Sequence, residues 1–306
     1  MTARIIIVGV VLIAARLASG QEPAVILKHD GWVAAVAFAP DGKTFASAGA
    51  DHVVRLWEVG TWKPKGVLKG HTDCVCAVTF SDDSKSLMTG SFDRSAKIWD
   101  ANNRENLRTI KDHNGVVTTV LLKEGPFAPL WWTGSVDGTV RVGDMSLKHR
   151  SWVNGITIGP RDPILATASS DGSVRLFGQE DVVLEGGAGE VRCVAFSPDG
   201  KLLAAGNRYH TVRVWDVASK KEIKTLGGHM SDVWSIAFSP DGKTLAAADT
   251  DWKKPSKVKL WDTATWKERG AIDVPGEILS IAYSPKGDWL AVGSWDKTVR
   301  VFAIAK

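Results

Sequence analysis

"LKGHTDCVCAVTFSDDSKSLMTGSFDRSAKIWD", residues 68–100, is the stretch from which the fold can be reconstructed. Its histidine, His71, precedes Asp93, and six residues after that aspartate stands Trp99. Counting outward, His29, His71 and His113 stand at a constant interval of 42 residues, and Asp51 with Trp57 repeats the second half of the pattern. A fixed period of this size means one small supersecondary unit copied end to end.

Turn and strand signals carry the unit through the chain. "FAPDGKTFA" (38–46), "FSDDSKSLM" (80–88), "FSPDGKLLA" (196–204), "FSPDGKTLA" (238–246) and "YSPKGDWLA" (283–291) are the same segment. Asp-Gly between two apolar runs is a hairpin, because glycine takes the positive φ of the turn without steric cost. Each copy is therefore a β-meander. Counting back six residues from Trp57, Trp99, Gly143, Phe177, Trp215, Trp261 and Phe302 gives Asp51, Asp93, Asp137, Asp171, Tyr209, Pro255 and Asp296. That makes seven copies, with Asp251 the expected counterpart in the sixth, displaced by four inserted residues.

"LKGH", "SPDGK" and "VRLWE/KIWD/VRVWD/VKLWD" resemble the WD-repeat β-propeller family across residues 21–306. The resemblance implies an all-β, seven-bladed propeller of four-stranded antiparallel blades. It also implies a buried tetrad of His, Ser/Thr, Asp and Trp. Carried over, this is His29, Ser47, Asp51 and Trp57 in copy one, and His71, Thr89, Asp93 and Trp99 in copy two. Copy three keeps His113, Thr133 and Asp137, and copy four keeps His149, Thr167 and Asp171. Copy five keeps only Trp215, copy six His229, Asp251 and Trp261 with Ala247 in the hydroxyl slot, and copy seven Asp296 alone.

Residues 1–20 stand apart. Arg4, the apolar run from Ile5 to Ala15 and the small residues Ala18-Ser19-Gly20 have the layout of a signal peptide, with an apolar run too short to span a bilayer. An exported, bacterial-style member of the family, periplasmic or extracellular, is the expectation. Removing Arg4 and Arg16 lowers the net charge from +4 to +2. No Lys/Arg block or aromatic-interleaved basic stripe remains, which argues against nucleic acid as a partner. Cys74, Cys76 and Cys193 are an odd number; two strand positions on one face seldom satisfy disulfide geometry, so free thiols are expected.

Ring closure follows from the termini. The chain ends on the third strand of copy seven, "TVRVFAI" (298–304), and begins with an orphan strand, "AVILK" (24–28), which is predicted to latch onto it. A monomer is expected. Only six residues separate Gly143 from His149, so blade three should have a vestigial outer strand near Ser146 to Lys148. Its "TVRV" strand (139–142) would then be open to edge pairing.

Histidine beside aspartate and a hydroxyl could signal a catalytic triad, but recurrence with a tryptophan partner favours a structural network. The sequence has no HExxH, CxxC, GxxxxGK[ST] or GxSxG motif, so no metal, cofactor or catalytic residue is assigned. By resemblance, the recognition face is the one bearing the histidine loops. Five residues after the histidine come Ala34, Cys76, Thr118, Asn154, Arg192, Trp234 and Leu279; just before the aspartate come Ala50, Phe92, Val136, Ser170, Arg208, Thr250 and Trp295. Arg192, Arg208, Trp234, Trp252, Trp295 and Phe92 are the candidate partner-binding residues, with Trp32, Trp152 and Glu277 adjoining them. A protein-interaction scaffold is the expected function; an enzyme or small-ligand binder using the central channel is the alternative.

Overall fold

A computed structural model describes residues 21–123, 130–161, 163–178, 180–185, 189–250 and 255–304. Within them seven four-stranded antiparallel sheets follow one another: residues 33–68, 75–110, 117–148, 153–185, 191–226 and 233–274, then 278–303 completed by Val25–Lys28. Each sheet is one blade, its strands running from an inner strand outward. The segment assigned to a leader, 1–20, lies outside the described residues.

The blades stack face against face, and this dictates their composition. A second strand has neighbours on both sides, so the period-2 alternation of a half-exposed strand disappears. Thr44–Gly49 is buried along its whole length, and Leu202–Asn207 and Thr244–Asp249 nearly so. These strands are rich in alanine and glycine because bulk would hold the blades apart. A Cβ on Gly206 would lie 2.6 Å from a methyl of Val233 in the next blade. Hydrophobic clusters accordingly span blade pairs: Leu56 and Val54 of blade one join Val75, Phe80 and Trp99 of blade two.

The predicted latch forms. Val25 pairs with Val301 and Lys28 with Thr298 in antiparallel register, and Leu27 is buried beneath Val299 and Val301. At the hairpins, Gly42, Gly200, Gly242 and Gly287 take positive φ, and Ser84 does so where copy two lacks the glycine.

Blade three corrects the expectation of an open third strand. Gly143, in the tryptophan slot, takes a positive φ of 54° and starts a tight turn, so Met145–Lys148 folds back to pair with all four residues of Thr139–Val142. "TVRV" is thus covered, and the edge is a four-residue strand led by exposed Met145. Trp131 and Trp132, neighbours on one strand, both pack against adjoining blades. Trp131 packs on the blade-two side, where Arg108 lies 4.2 Å over its ring, and Trp132 packs on the cluster shared with blade four. Both faces of a blade are interior.

Candidate functional site

In blades one to four and in blade six a histidine meets an aspartate at the same end of the blade. In blade one the Nδ1 of His29 lies 3.0 Å from Asp51, and its Nε2 lies 2.7 Å from the hydroxyl of Ser47, which also accepts the Trp57 indole N–H at 2.8 Å. Blade two repeats this at 2.7, 2.7 and 2.9 Å through His71, Asp93, Thr89 and Trp99. In blades three and four, His113 bridges Asp137 and Thr133, and His149 bridges Asp171 and Thr167, with no indole.

An Asp–His–Ser/Thr relay has the connectivity of a catalytic triad, yet the chemistry is blocked. Ser47, Thr89 and Thr167 are fully buried and Thr133 is 1% exposed, so none of these oxygens is open to a substrate. A nucleophile must reach its substrate. Burial also holds the His71 and His149 imidazoles below their ordinary range, against the pull of the paired aspartates, so they are neutral cross-links.

Blade six corrects the assignment of Asp251, which lies outside the described residues. Asp249, two positions earlier at the strand end, meets His229 Nδ1 at 3.2 Å and accepts the backbone N–H of Met230. It also accepts the N–H of Lys257, bridging the base of the inserted loop. Counting back from the tryptophan could not find it, because the insertion separates the aspartate from the third strand. The hydroxyl slot is Ala247, and His229 Nε2 and Trp261 Nε1 are buried without a protein partner. Replacing Ala247 by Ser would let one hydroxyl donate to the imidazole and accept from the indole. A gain of about 1–2 kcal/mol is expected, read as a rise in Tm; an unchanged or lower Tm would count against this account.

Five residues after each histidine slot, the structure shows one device in every blade. The register of the inner strand slips there, so that Ala34, Cys76, Thr118, Asn154, Arg192, Trp234 and Leu279 are each bulged residues. A bulge re-aims its side chain. Cys76 donates to the Val117 carbonyl at 3.1 Å, Thr118 to that of Val153, and Asn154 to that of Val191 at 2.7 Å. These side chains, expected on the recognition surface, clamp one blade to the next.

Arg192 follows the same rule. Its guanidinium meets Asp232 of the next blade at 3.2 Å and Glu190 at 2.7 Å, and stacks 4.7 Å over Trp234. Arg208 meets Glu190 at 2.8 Å and, with Tyr209 and Arg150, borders a cleft of about 560 Å³. Blades five and six therefore present paired rather than free charges. Trp252 and Lys253 lie outside the described residues.

Phe92 and Trp295 are brought together by a residue that stood only at the margin of the sequence assignment. Trp32 stacks on Trp295 with ring centres 4.8 Å apart and planes within 9°, while Phe92 meets its edge at 6.3 Å. Backbone bonds fix the frame: the N–H of Ala50 donates to the Trp32 carbonyl, and that of Trp295 to the Glu277 carbonyl. Trp295 is 43% exposed and Phe92 41%. An aromatic surface thus crosses blades seven, one and two.

The three cysteines are free. Burial pushes the Cys74 and Cys193 thiols up to about 12 and raises Cys76 as well, which removes thiolate reactivity. Among the described residues, no three His, Cys, Asp or Glu side chains gather as a metal-ligand set, and no helix is long and apolar enough to cross a membrane.

Comparison with known proteins agrees with this architecture. The family pattern described as "WD domain, G-beta repeat" matches residues 20–58, 62–100, 145–177, 178–216, 220–262 and 270–302. Small ribosomal subunit protein RACK1 of Caenorhabditis elegans is 26% identical over 174 residues, 51% of this chain and 52% of its own length. WD repeat-containing protein VIP3 of Arabidopsis thaliana is 30% identical over 162 residues, 47% and 50% of the two chains. Pre-mRNA-processing factor 19 of Oryza sativa is 29% identical over 204 residues, 60% of this chain and 37% of that one. The chain spans about half the length, or less, of these relatives.

Proposed function

The chain belongs to the WD-repeat family, and on that premise we propose that it is a non-enzymatic platform whose aromatic surface on blades seven, one and two docks a protein partner. The observation that carries this is the Trp32–Trp295 stack with Phe92 at its edge, large rings left half-open to solvent on a frame of backbone hydrogen bonds. Tryptophan is enriched in interface hot spots because it buries much area at little cost in side-chain freedom. Arg192, Arg208 and Trp234 form a charged border on the far side of the same face, where a partner would have to displace existing ion pairs. That favours the aromatic half as the centre of contact.

Capture from a native extract tests the proposal. Immobilised wild-type chain should retain a partner that the double variant Trp32→Ser, Trp295→Ser retains at least about thirtyfold less, the consequence of losing ~2 kcal/mol or more from hot-spot side chains. The variant's Tm should stay within about 2 °C, because partly exposed rings contribute little to the core. An unchanged set of retained proteins would refute the assignment.

A further inference from the structure

At the opposite end of the blades, five residues after the strand-ending tryptophan, the third hairpin carries a residue that leans over the groove to the preceding blade. Trp62 and Trp266 occupy this position in blades one and six, both with positive φ. Trp62 lies 6.4 Å from Phe38, 6.0 Å from Phe45 and 5.6 Å from Trp289 of blade seven, edge to face in each case. Trp266 belongs to the cluster formed by Phe238, Leu245 and Leu202 of the preceding blade. The protein itself therefore shows what this groove accepts, an indole.

Blades two and five carry a cation at this position instead of an indole, and in blade two Arg104 lies over Gly66 and donates to the Lys65 carbonyl of the preceding blade. In blade five the left-handed residue is Lys220, whose ammonium reaches across the rim of the groove to Glu180 of blade four at 3.2 Å and leaves the apolar walls below it uncovered. The walls are retained. By strand register Phe196 stands where Phe38 does, Val217 where Val59 does and Ile164 where Trp289 does. Phe196, Val217, Ile164 and Leu176 line an open cleft of about 1050 Å³ between blades four and five. Three cations, Arg161, Lys201 and Lys220, and three carboxylates, Glu180, Asp199 and Asp216, surround it, with Lys220 on Glu180 and Lys201 3.9 Å from Asp199. Among the described residues these six charges balance, which suits an uncharged ring flanked by neutral peptide.

The geometry points to a second binding site: the groove between blades four and five receives one indole side chain presented by an extended segment of a partner polypeptide, in the place Trp62 and Trp266 fill elsewhere. It lies on the face opposite Trp32 and Trp295, and rests on the platform reading only in that the indole arrives on a polypeptide. A small probe tests the groove directly, so failure here and failure of capture at the aromatic face are separate results.

N-acetyl-L-tryptophanamide, titrated into the full chain and followed by protein NMR shifts, should saturate with a Kd on the order of 1 mM, as expected for a fragment-sized ligand. Shifts should centre on Phe196, Val217 and Lys220, and N-acetyl-L-alaninamide should produce none. Lys220→Ala should still bind the probe. Lys220→Trp should fold, raise the Tm by filling the groove from within, and weaken the probe by at least about tenfold. Absence of saturable binding to the wild type, equal binding to Lys220→Trp, or failure of Lys220→Trp to fold would each overturn the proposal.

Discussion

A chain lacking residues 21–28 is expected to lose its closed ring, unfold at far lower temperature and associate through the exposed edge of its last blade. Three contributions disappear together. The backbone ladder from Val25 to Lys28 is lost, along with the bond from Ala24 N–H to the Val301 carbonyl. Each net hydrogen bond contributes about 0.5–1.5 kcal/mol. Leu27, 5% exposed, no longer covers Val299 and Val301, and burial of a leucine contributes about 1.5–3 kcal/mol. Ordering the segment offsets part of this, at about 1–2 kcal/mol per residue, which is why the direct loss is smaller than the sum of the contacts. The larger consequence is topological. Blade seven becomes a three-stranded sheet whose strand Thr298–Ala303 presents unpaired N–H and C=O groups, a template for another chain.

Sedimentation and thermal unfolding check both halves of this result: a variant that stays monomeric and melts within about 2 °C of the intact chain would show that the latch is ornamental. Rescue by a synthetic peptide of residues 21–29 added in trans is the positive control, since an extended peptide can complete a sheet edge through main-chain bonds alone.

Most of the architecture was legible because it is local and repeated. The Asp-Gly hairpins and the histidine–aspartate spacing recur within single blades, and the orphan strand at residues 24–28 had only one free edge to join. What escaped the sequence depends on contacts between distant segments or on a change in local register. Trp32 and Trp295 lie at opposite ends of the chain, and only closure of the ring stacks them. Asp249 escaped because the insertion after it breaks the count back from Trp261. The bulge after each histidine loop carries no constant residue type, only a constant position, so Cys76, Thr118 and Asn154 resembled surface rather than clamps. The groove beside Lys220 was invisible for the converse reason: a lysine in a hairpin is unremarked until Trp62 and Trp266 show what stands there in other blades.

Replacing Asp93 by alanine should be among the most damaging single changes in the tetrads, because one carboxylate serves four donors, as Asp137 and Asp171 also do in blades three and four. It accepts from His71 Nδ1 at 2.7 Å, from the backbone N–H of Thr72 and Ser95 at 3.1 and 2.9 Å, and from the Ser95 hydroxyl at 2.6 Å. The His71 side chain is 1% exposed, so water cannot readily replace the lost partner. Each buried group left unmet costs about 1–3 kcal/mol, and a total of about 3–5 kcal/mol is expected, enough to lower the Tm by roughly 10 °C in a domain of this size. Asp296→Ala is the internal comparison: that aspartate meets Arg300 and Thr298 at a partly open site without a histidine, and its loss should cost about 1 kcal/mol or less. Acid titration gives an independent readout. Burial pushes the Asp93 carboxyl up, but the bonds from Ser95, His71 and Thr72 outweigh it and hold the group at about 2, below its unfolded value of 3.8. A group lowered in this way contributes stability above pH 3.8 and loses it as pH falls toward about 2, since the unfolded chain then binds the proton more readily. His71 and His149, lowered from 6.5, begin the same loss at higher pH. Without the carboxylate the alanine variant should lose less stability than the wild type between pH 3.8 and about 2, and the two unfolding curves should converge. Parallel curves across that interval, or equal costs at Asp93 and Asp296, would mean that the tetrad is not what holds blade two together.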